Sequence, residues 1–135
     1  MADEKNNEEK YMQLQMLQQQ AEQITDYVEK LQMQQKELET SIEALTELQK
    51  TKVNTEILAP IANGVFLKAE LKDNQNLVVN VGAEVTVEKT IAEVLRLLEE
   101  QKGKITENLA EAESVLKELH EHGRRMYQET SEAAE

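Results

Sequence analysis

Hydrophobic positions follow two different periods along this chain. In residues 14–45 and 91–126, apolar residues recur three and four positions apart, which places them on one face of a helix. In residues 57–90, apolar and polar residues alternate instead, and this spacing is typical of β-strands. The pattern therefore predicts two long helices that flank a short β segment.

The first helical stretch has a sustained heptad repeat, which predicts a coiled coil. Its a positions are Leu14, Ala21, Val28, Gln35 and Ile42, and its d positions are Leu17, Ile24, Leu31, Leu38 and Leu45. Because so narrow an apolar stripe cannot stay exposed, the helix must bury it against a second helix. We expect this helix over residues 8–53, after a non-helical start in which Asn6 and Glu9 resemble a capping box. The dense glutamines of residues 13–35 indicate either a solvated face or a low-complexity interaction surface.

The second helical stretch has a heptad repeat with two interruptions. Its a positions are Ile91, Leu98, Ile105, Ala112, Leu119 and Met126, and its d positions are Leu95, Lys102, Leu109, Leu116 and Gly123. Thr90 and Glu93 form a capping box at its start, so we expect a helix over 90–128 and a fraying tail over 129–135. Lys102 with Gly103, and again Gly123, indicate either tolerated local weakness or a point at which the helix pair can bend or splay.

The β segment, residues 54–89, predicts four short strands that form two hairpins. Turns are predicted at Asn63-Gly64, where both residues tolerate positive φ, at 73–76 and at Gly82-Ala83. An isolated hairpin is marginal in water, and free strand edges favour pairing with another chain. A closed barrel shared between subunits would satisfy both constraints. The apolar residues expected at that interface are Ile57, Leu58, Ile61, Val65, Phe66, Leu67, Leu77, Val79, Val81, Val85 and Val87.

The fold class that follows is α+β and mostly α. We predict one domain over 1–135: a long antiparallel two-helix coiled coil with two β-hairpins at one end, which join an intersubunit β-barrel.

Composition narrows the range of partners. The net charge of −12 argues against nucleic acid and anionic membrane surfaces, and it favours a basic or apolar partner. The sequence has no cysteine, which fits a reducing cytoplasm. The polar, acidic start is not a signal peptide, and no apolar run reaches the length of about 20 residues that spans a bilayer.

The sequence carries few signals for catalysis. It has no Gly-rich phosphate loop and no His-Glu-x-x-His motif. His120 and His122 lie two positions apart and so on different helix faces, which makes them surface histidines rather than metal ligands. We therefore expect no enzyme activity, no catalytic residues, no metal and no cofactor.

Apolar residues also cluster where the two chain ends would meet. They are Tyr11, Met12, Leu14, Met16, Leu17, Leu119, Met126 and Tyr127. They point in several directions around their helices, so a two-helix seam cannot cover all of them. Exposed methionine-rich surface adapts to varied partners, which favours a binding surface at this end. The alternative is that these residues cap the coiled coil or lie in a frayed end.

The β segment and its flanks resemble the alpha class of the prefoldin family. The resemblance rests on Ile57-Leu58-Ala59-Pro60-Ile61, Asn63-Gly64, Val65 to Glu70, Leu77 to Gly82 and Val85 to Thr90, each between long helices. It covers about residues 8–128. Two hairpins are typical of the alpha class, whereas beta subunits have one.

This resemblance implies a particular assembly and activity. It implies a hetero-hexamer of two alpha and four beta subunits, in which hairpins form a double β-barrel and coiled-coil tips capture unfolded client proteins without ATP. It also implies delivery to a group II chaperonin in the cytoplasm, with no nucleic acid and no membrane involved. Two alternatives stay open: a coiled-coil scaffold or filament subunit, and the coiled-coil arm of an enzyme.

Overall fold

The computed structural model describes the backbone of residues 2–133 and the side chains of residues 4–129. In chain order its elements are α1 (Ala2–Lys50), β1 (Glu56–Ala62), β2 (Val65–Glu70), β3 (Asn76–Gly82), β4 (Val85–Thr90) and α2 (Ile91–Ala133). The first helix begins before the predicted start at residue 8, so Asn6 lies inside it and does not cap it. That helix also ends at Lys50, three residues before the predicted end, and α2 continues into the predicted tail.

The chain divides into two compact units, the first made of Met1–Gln35 and Lys104–Glu135. In this unit the two helices run antiparallel around a small apolar core. The buried core residues are Val28, Leu31, Leu109 and Ala112, with Ile24 and Ile105 packed against them. All six are heptad positions, so the seam predicted from the repeat is the surface that the helices bury.

A polar contact crosses the seam of this helix pair. Gln35 occupies an a position, and its Nε2 donates a hydrogen bond to Thr106 Oγ1 at 3.1 Å. This contact gives the one polar seam residue of α1 a partner on α2. Every predicted heptad position on both helices, including Gly123, is buried or half-buried, which confirms the two frames.

The second unit, Lys36–Gly103, contains both hairpins. The first pairs β1 with β2 and the second pairs β3 with β4, each as a separate antiparallel two-stranded sheet. The predicted four strands and two hairpins are confirmed, and the chain by itself forms no closed barrel within its described residues. Also in this unit, Lys102 Nζ lies 3.7 Å from Glu39 Oε1, which gives the charged seam position of α2 an ion-pair partner.

The two hairpins are an internal repeat with an offset of 20 residues. Each register has one irregularity, between Pro60 and Ala62 in the first and between Asn80 and Gly82 in the second. The burial patterns are identical strand for strand. Each hairpin is followed by a buried apolar residue, Leu71 after the first and Ile91 after the second.

The two hairpin turns match the prediction to different degrees. The first turn lies at the predicted Asn63-Gly64, and of these two residues, which both tolerate positive φ, only Gly64 adopts it, at 75°. The second turn lies one residue later than predicted, at Ala83 and Glu84, with φ of 49° and 63°. Two non-glycine residues therefore occupy the left-handed region in the second hairpin, where side chains are disfavoured.

At the end of each hairpin, one polar side chain accepts hydrogen bonds from the backbone that follows. After the first, Asp73 Oδ1 accepts hydrogen bonds from the backbone N–H of Gln75 at 2.8 Å and of Asn76 at 3.1 Å. After the second, Thr90 Oγ1 accepts one from the backbone N–H of Glu93 at 3.1 Å, which confirms the predicted cap of α2. The first exit is therefore a turn, and the second is a helix start.

Candidate functional site

The hairpins expose a large amount of apolar surface. Most of the residues predicted for assembly are exposed: Leu58, Ile61, Val65, Phe66, Leu67, Val81, Val85 and Val87. Ile57, Leu77 and Val79 are half-buried. Val78 was not among the predicted residues, yet at 71% it is the most exposed large hydrophobic residue of the chain's described part. The 20-residue repeat could have identified it, because Val78 corresponds to Leu58.

The two hairpins differ in the surfaces that they present. Residues opposite each other in the register share a face, and Leu58, Pro60 and Phe66 therefore form an exposed apolar face on the first hairpin. The equivalent face of the second hairpin has Val78 but replaces the other two with Asn80 and Thr86. Lys68 lies on this face of the first hairpin and Glu88 on that of the second, so both faces are mixed, and the first hairpin has the larger apolar area there.

The outer edges of the hairpins carry unpaired backbone groups. Leu71 N donates to Thr55 O at 2.9 Å, so Thr55 and Leu71 form a hydrogen-bonded pair at the open end of the first hairpin. From this pair toward the turn, hydrogen-bonded and non-hydrogen-bonded residue pairs alternate along β1 and β2. The pair of Pro60 and Phe66 is a non-bonded one, and the backbone N and C=O at position 60 face outward. The corresponding bond from Ile91 N to Gln75 O, at 2.8 Å, places the N–H of Asn80 on the outer edge in the same way. The outer edge of β3 therefore has a donor where β1 has a proline.

The helix ends expose further apolar side chains. Tyr11, Met12, Met16 and Tyr127 are between 59% and 66% exposed, and we call these four residues the free-end surface. Three further predicted residues, Leu14, Leu17 and Leu119, are half-buried. Met126 is buried at 7% exposure, so it contributes to the helix seam and not to this surface.

A groove of about 800 Å³ lies between the helices of the first unit. It is lined by Leu14, Leu17, Gln18, Ala21, Glu22, Thr25, Asp26, Leu119, His120, Gly123 and Tyr127. Gly123 lies at a d position, and a Cβ built there meets no atom within 4 Å. The sequence indicated this glycine as a defect in the repeat; the groove that it lines was not predicted.

The described residues do not bring together a metal centre. They contain no group of three or more His, Asp or Glu side chains that could hold a metal ion. The backbone N–H of Gln75, the Asn76 side chain and the Asn76 backbone N–H donate hydrogen bonds to the Asp73 carboxylate and hold its pKa below its ordinary value. No described helix is long and apolar enough to cross a membrane.

Comparison with known proteins gives the family. The family model described as "Prefoldin subunit" matches residues 6–135, nearly the whole chain. The chain belongs to the prefoldin family. Members of this family are chaperone subunits, and the resemblance first seen in the β segment is confirmed.

The curated relatives are archaeal prefoldin alpha subunits. The one from Archaeoglobus fulgidus is 28% identical over 129 residues, which cover 96% of this chain and 94% of that protein. The one from Pyrococcus horikoshii is 35% identical over 106 residues, which cover 78% of this chain and 72% of the relative. The alignments with these relatives include residues from both helices and both hairpins of this chain.

A solved structure supports the fold. The filamentous PFD of Methanocaldococcus jannaschii, determined by cryo-electron microscopy, matches with a TM-score of 0.72 at 19% identity. The match covers 86% of this chain and 96% of that chain. At this identity the similarity establishes the prefoldin fold and no more.

Proposed function

We propose that this chain is the alpha-type subunit of an ATP-independent holdase. The observation that carries the proposal is that this member of the prefoldin family has two separate sets of exposed apolar residues. One set lies on the hairpins in one unit, and the other is the free-end surface in the other unit. The hairpins join subunits, and the free-end surface binds unfolded polypeptides.

The assembly step follows from the hairpin edges. A two-stranded sheet with free edges and exposed apolar faces is stabilised when further strands pair with it. The alpha-subunit names of the relatives support beta-type prefoldin subunits as those partners. We propose two alpha with four beta subunits, whose strands together close a barrel in the cytoplasm.

The capture step follows from the chemistry of the free-end surface. Methionine side chains are flexible and polarizable, and tyrosine rings offer apolar area with a polar edge, so both fit varied apolar segments. Each contact is weak, but several subunits presenting such surfaces to one polypeptide multiply the affinity. Release needs no nucleotide if a second partner, which we propose is a group II chaperonin, competes for the same surface.

Replacing the free-end residues tests the capture step. The triple variant Tyr11→Ser, Met12→Ser and Met16→Ser changes only exposed side chains, so the helix should persist. We expect the assembled variant to lose most of its ability to suppress aggregation of a chemically denatured protein, measured by light scattering without ATP. The matched control replaces Gln13, Gln15 and Gln19 of the same helix by alanine and should retain full activity. Equal activity of the serine variant and the control would contradict the proposal.

A filament or scaffold subunit is the second candidate, and the similarity to a filamentous PFD favours considering it. In that case the hairpins would pair with other copies of the same chain. The chain would then grow into long homo-oligomers without a beta subunit and would not affect the aggregation of denatured proteins. Electron microscopy of the purified chain at increasing concentration distinguishes the two candidates.

A further inference from the structure

The groove beside Gly123 is built differently from the free-end surface. Gly123 on α2 and Ala21 on α1 are the two smallest residues that line it, and both are seam positions. Where a heptad ordinarily places a large side chain at d, Gly123 leaves open space. The groove floor that remains is apolar, because Leu14, Leu17 and Leu119 also line it.

The rim of the groove is acidic. Glu22 and Asp26 lie one helical turn apart on α1 and line it, and both are exposed. Like charges at this spacing repel each other, and neither carboxylate forms a salt bridge within the described residues. His120 is the one basic side chain in the lining.

Tyr127 adds an aromatic ring to this rim and is 66% exposed. A tyrosine face attracts lysine and arginine side chains, and nearby carboxylates attract the same cations. The groove therefore combines an apolar floor with a rim that favours positive charge.

We propose that this groove binds segments of unfolded polypeptide in which apolar and basic side chains alternate or adjoin. The apolar side chain occupies the space left by Gly123, and the neighbouring lysine or arginine contacts Glu22, Asp26 and the Tyr127 ring. This inference rests on the proposed holdase function and deepens it, since it specifies which segments of a client are preferred. An acidic apolar segment of the same length is disfavoured by repulsion from the rim.

The direct test is binding of two labelled peptides to the full-length chain in its assembled form. One is a 15-residue peptide of leucine and lysine, and the other has every lysine replaced by glutamate. Fluorescence anisotropy should show at least tenfold tighter binding of the lysine peptide at low salt, with the difference shrinking as salt rises. Equal affinities for the two peptides would overturn the inference.

Filling the groove tests the floor. Gly123→Leu places the expected d side chain into open space, so the helix pair should become more stable to heat while affinity for the lysine peptide falls about tenfold. Gly123→Ala is the matched control: it improves helix propensity at the same position but adds a single methyl group, and it should keep affinity within about twofold. A folded Gly123→Leu variant that binds like the unmodified chain would overturn the inference.

Neutralising the rim tests the charge. Glu22→Gln with Asp26→Asn should weaken binding of the lysine peptide several-fold. Glu4→Gln with Glu8→Gln is the control, because it changes net charge equally at the same spacing on the same helix but away from the groove. Equal losses in both would show a general charge effect and overturn a site at the rim.

The holdase function and the role of the groove can be tested separately. If the unmodified chain does not suppress aggregation at all, the holdase proposal fails. If it suppresses aggregation but Gly123→Leu and the rim variant bind the lysine peptide as well as the unmodified chain does, only the groove assignment fails.

Discussion

The two hairpins share one backbone plan but present different surfaces. Register, irregularity and burial pattern repeat with a 20-residue offset. The equivalent positions nevertheless hold different residues: Pro60 corresponds to Asn80, Phe66 to Thr86, and Gly64 to Glu84. Most shared positions are the apolar ones on the half-buried face, whereas the three differing pairs named above lie on the outer edge, the outer face and the turn. Backbone layout and interaction surface are therefore specified by separate sets of residues.

The largest effect on stability should come from truncating the buried residue that follows each hairpin, and this effect should differ between the two hairpins. Ile91 is 1% exposed and Leu71 is 7% exposed. Truncation of a buried Ile or Leu to Ala costs about 2–5 kcal/mol, so Ile91→Ala should lie toward the upper part of that range and Leu71→Ala toward the lower. Urea denaturation at fixed protein concentration measures both. A larger loss for Leu71→Ala would reverse the ranking.

The next largest effect should come from the outward N–H of Asn80, which has no equivalent at Pro60 in the first hairpin. In Asn80→Pro the hairpin keeps its own ladder, as Pro60 does in the first hairpin, but the outward N–H is lost. An acceptor left unpaired on a neighbouring strand costs about 1–3 kcal/mol, so assembly should weaken by roughly tenfold or more.

Asn80→Ala is the control for that variant. The Asn80 Oδ1 accepts a hydrogen bond from Gly82 N at 2.9 Å, and alanine removes this bond while retaining the backbone donor. Sedimentation velocity over a concentration series gives the assembly constants. Equal weakening by proline and alanine would show that the outer edge of β3 pairs with nothing.

The cap at the second exit gives a smaller effect. Thr90→Ala removes the acceptor of the Glu93 N–H and should destabilise the chain by about 1 kcal/mol. Thr90→Ser should retain most of that stability. Thermal unfolding followed by circular dichroism compares the two variants. A serine variant as unstable as the alanine variant would indicate that the methyl group, and not the hydroxyl, matters.

The second turn should gain stability from glycine. Glu84→Gly removes a side chain from a residue with φ of 63° and should stabilise the chain by up to about 1 kcal/mol. Gly64→Ala, at φ 75° in the first hairpin, should do the reverse. Chemical denaturation measures both. Destabilisation by Glu84→Gly would mean that the Glu84 side chain makes a stabilising contact in the assembly.

The smallest effect concerns pH at the first exit. Because hydrogen bonds lower the folded-state pKa of Asp73 below its ordinary value of 3.8, they stabilise the fold fully at pH well above 3.8. That stabilisation decreases as the pH falls from there through the lower folded-state pKa. The stability difference between the unmodified chain and Asp73→Ala should therefore shrink in acid, as measured by denaturation between pH 6 and 2.5. A difference that grows in acid would contradict this assignment.

Much of the fold could be predicted from the sequence because its signals are local. The heptads fixed the seam down to Gln35 and Lys102, and alternation fixed four strands. The start of α1 was misplaced because the polar residues before Glu9 have no periodic pattern, yet they continue the helix. The second turn was displaced by one residue because Gly82 is a strong turn signal, whereas Ala83 and Glu84 are residues that rarely adopt positive φ and so give no local signal for a turn.

The candidate sites were harder to predict, because exposure depends on packing between elements. Tyr11 and Met126 look alike as apolar residues near the chain ends, but one is 62% exposed and the other 7%. The heptad frame does separate them, since Met126 is an a position and Tyr11 is not. The groove at Gly123 could be predicted only with the register between the two helices, because residues of both line it. The heptad pattern of one helix shows only that a large side chain is missing at position 123.

The central claim is that the hairpin surface joins this chain to beta-type prefoldin subunits and that the complex holds unfolded polypeptides. Multi-angle light scattering of the purified chain alone, and then mixed with a beta-type subunit, tests it most directly. We expect a shift to a complex of about six subunits, and only that complex should suppress aggregation of a denatured protein without ATP. A large homo-oligomer that ignores the beta subunit and leaves aggregation unchanged would contradict it.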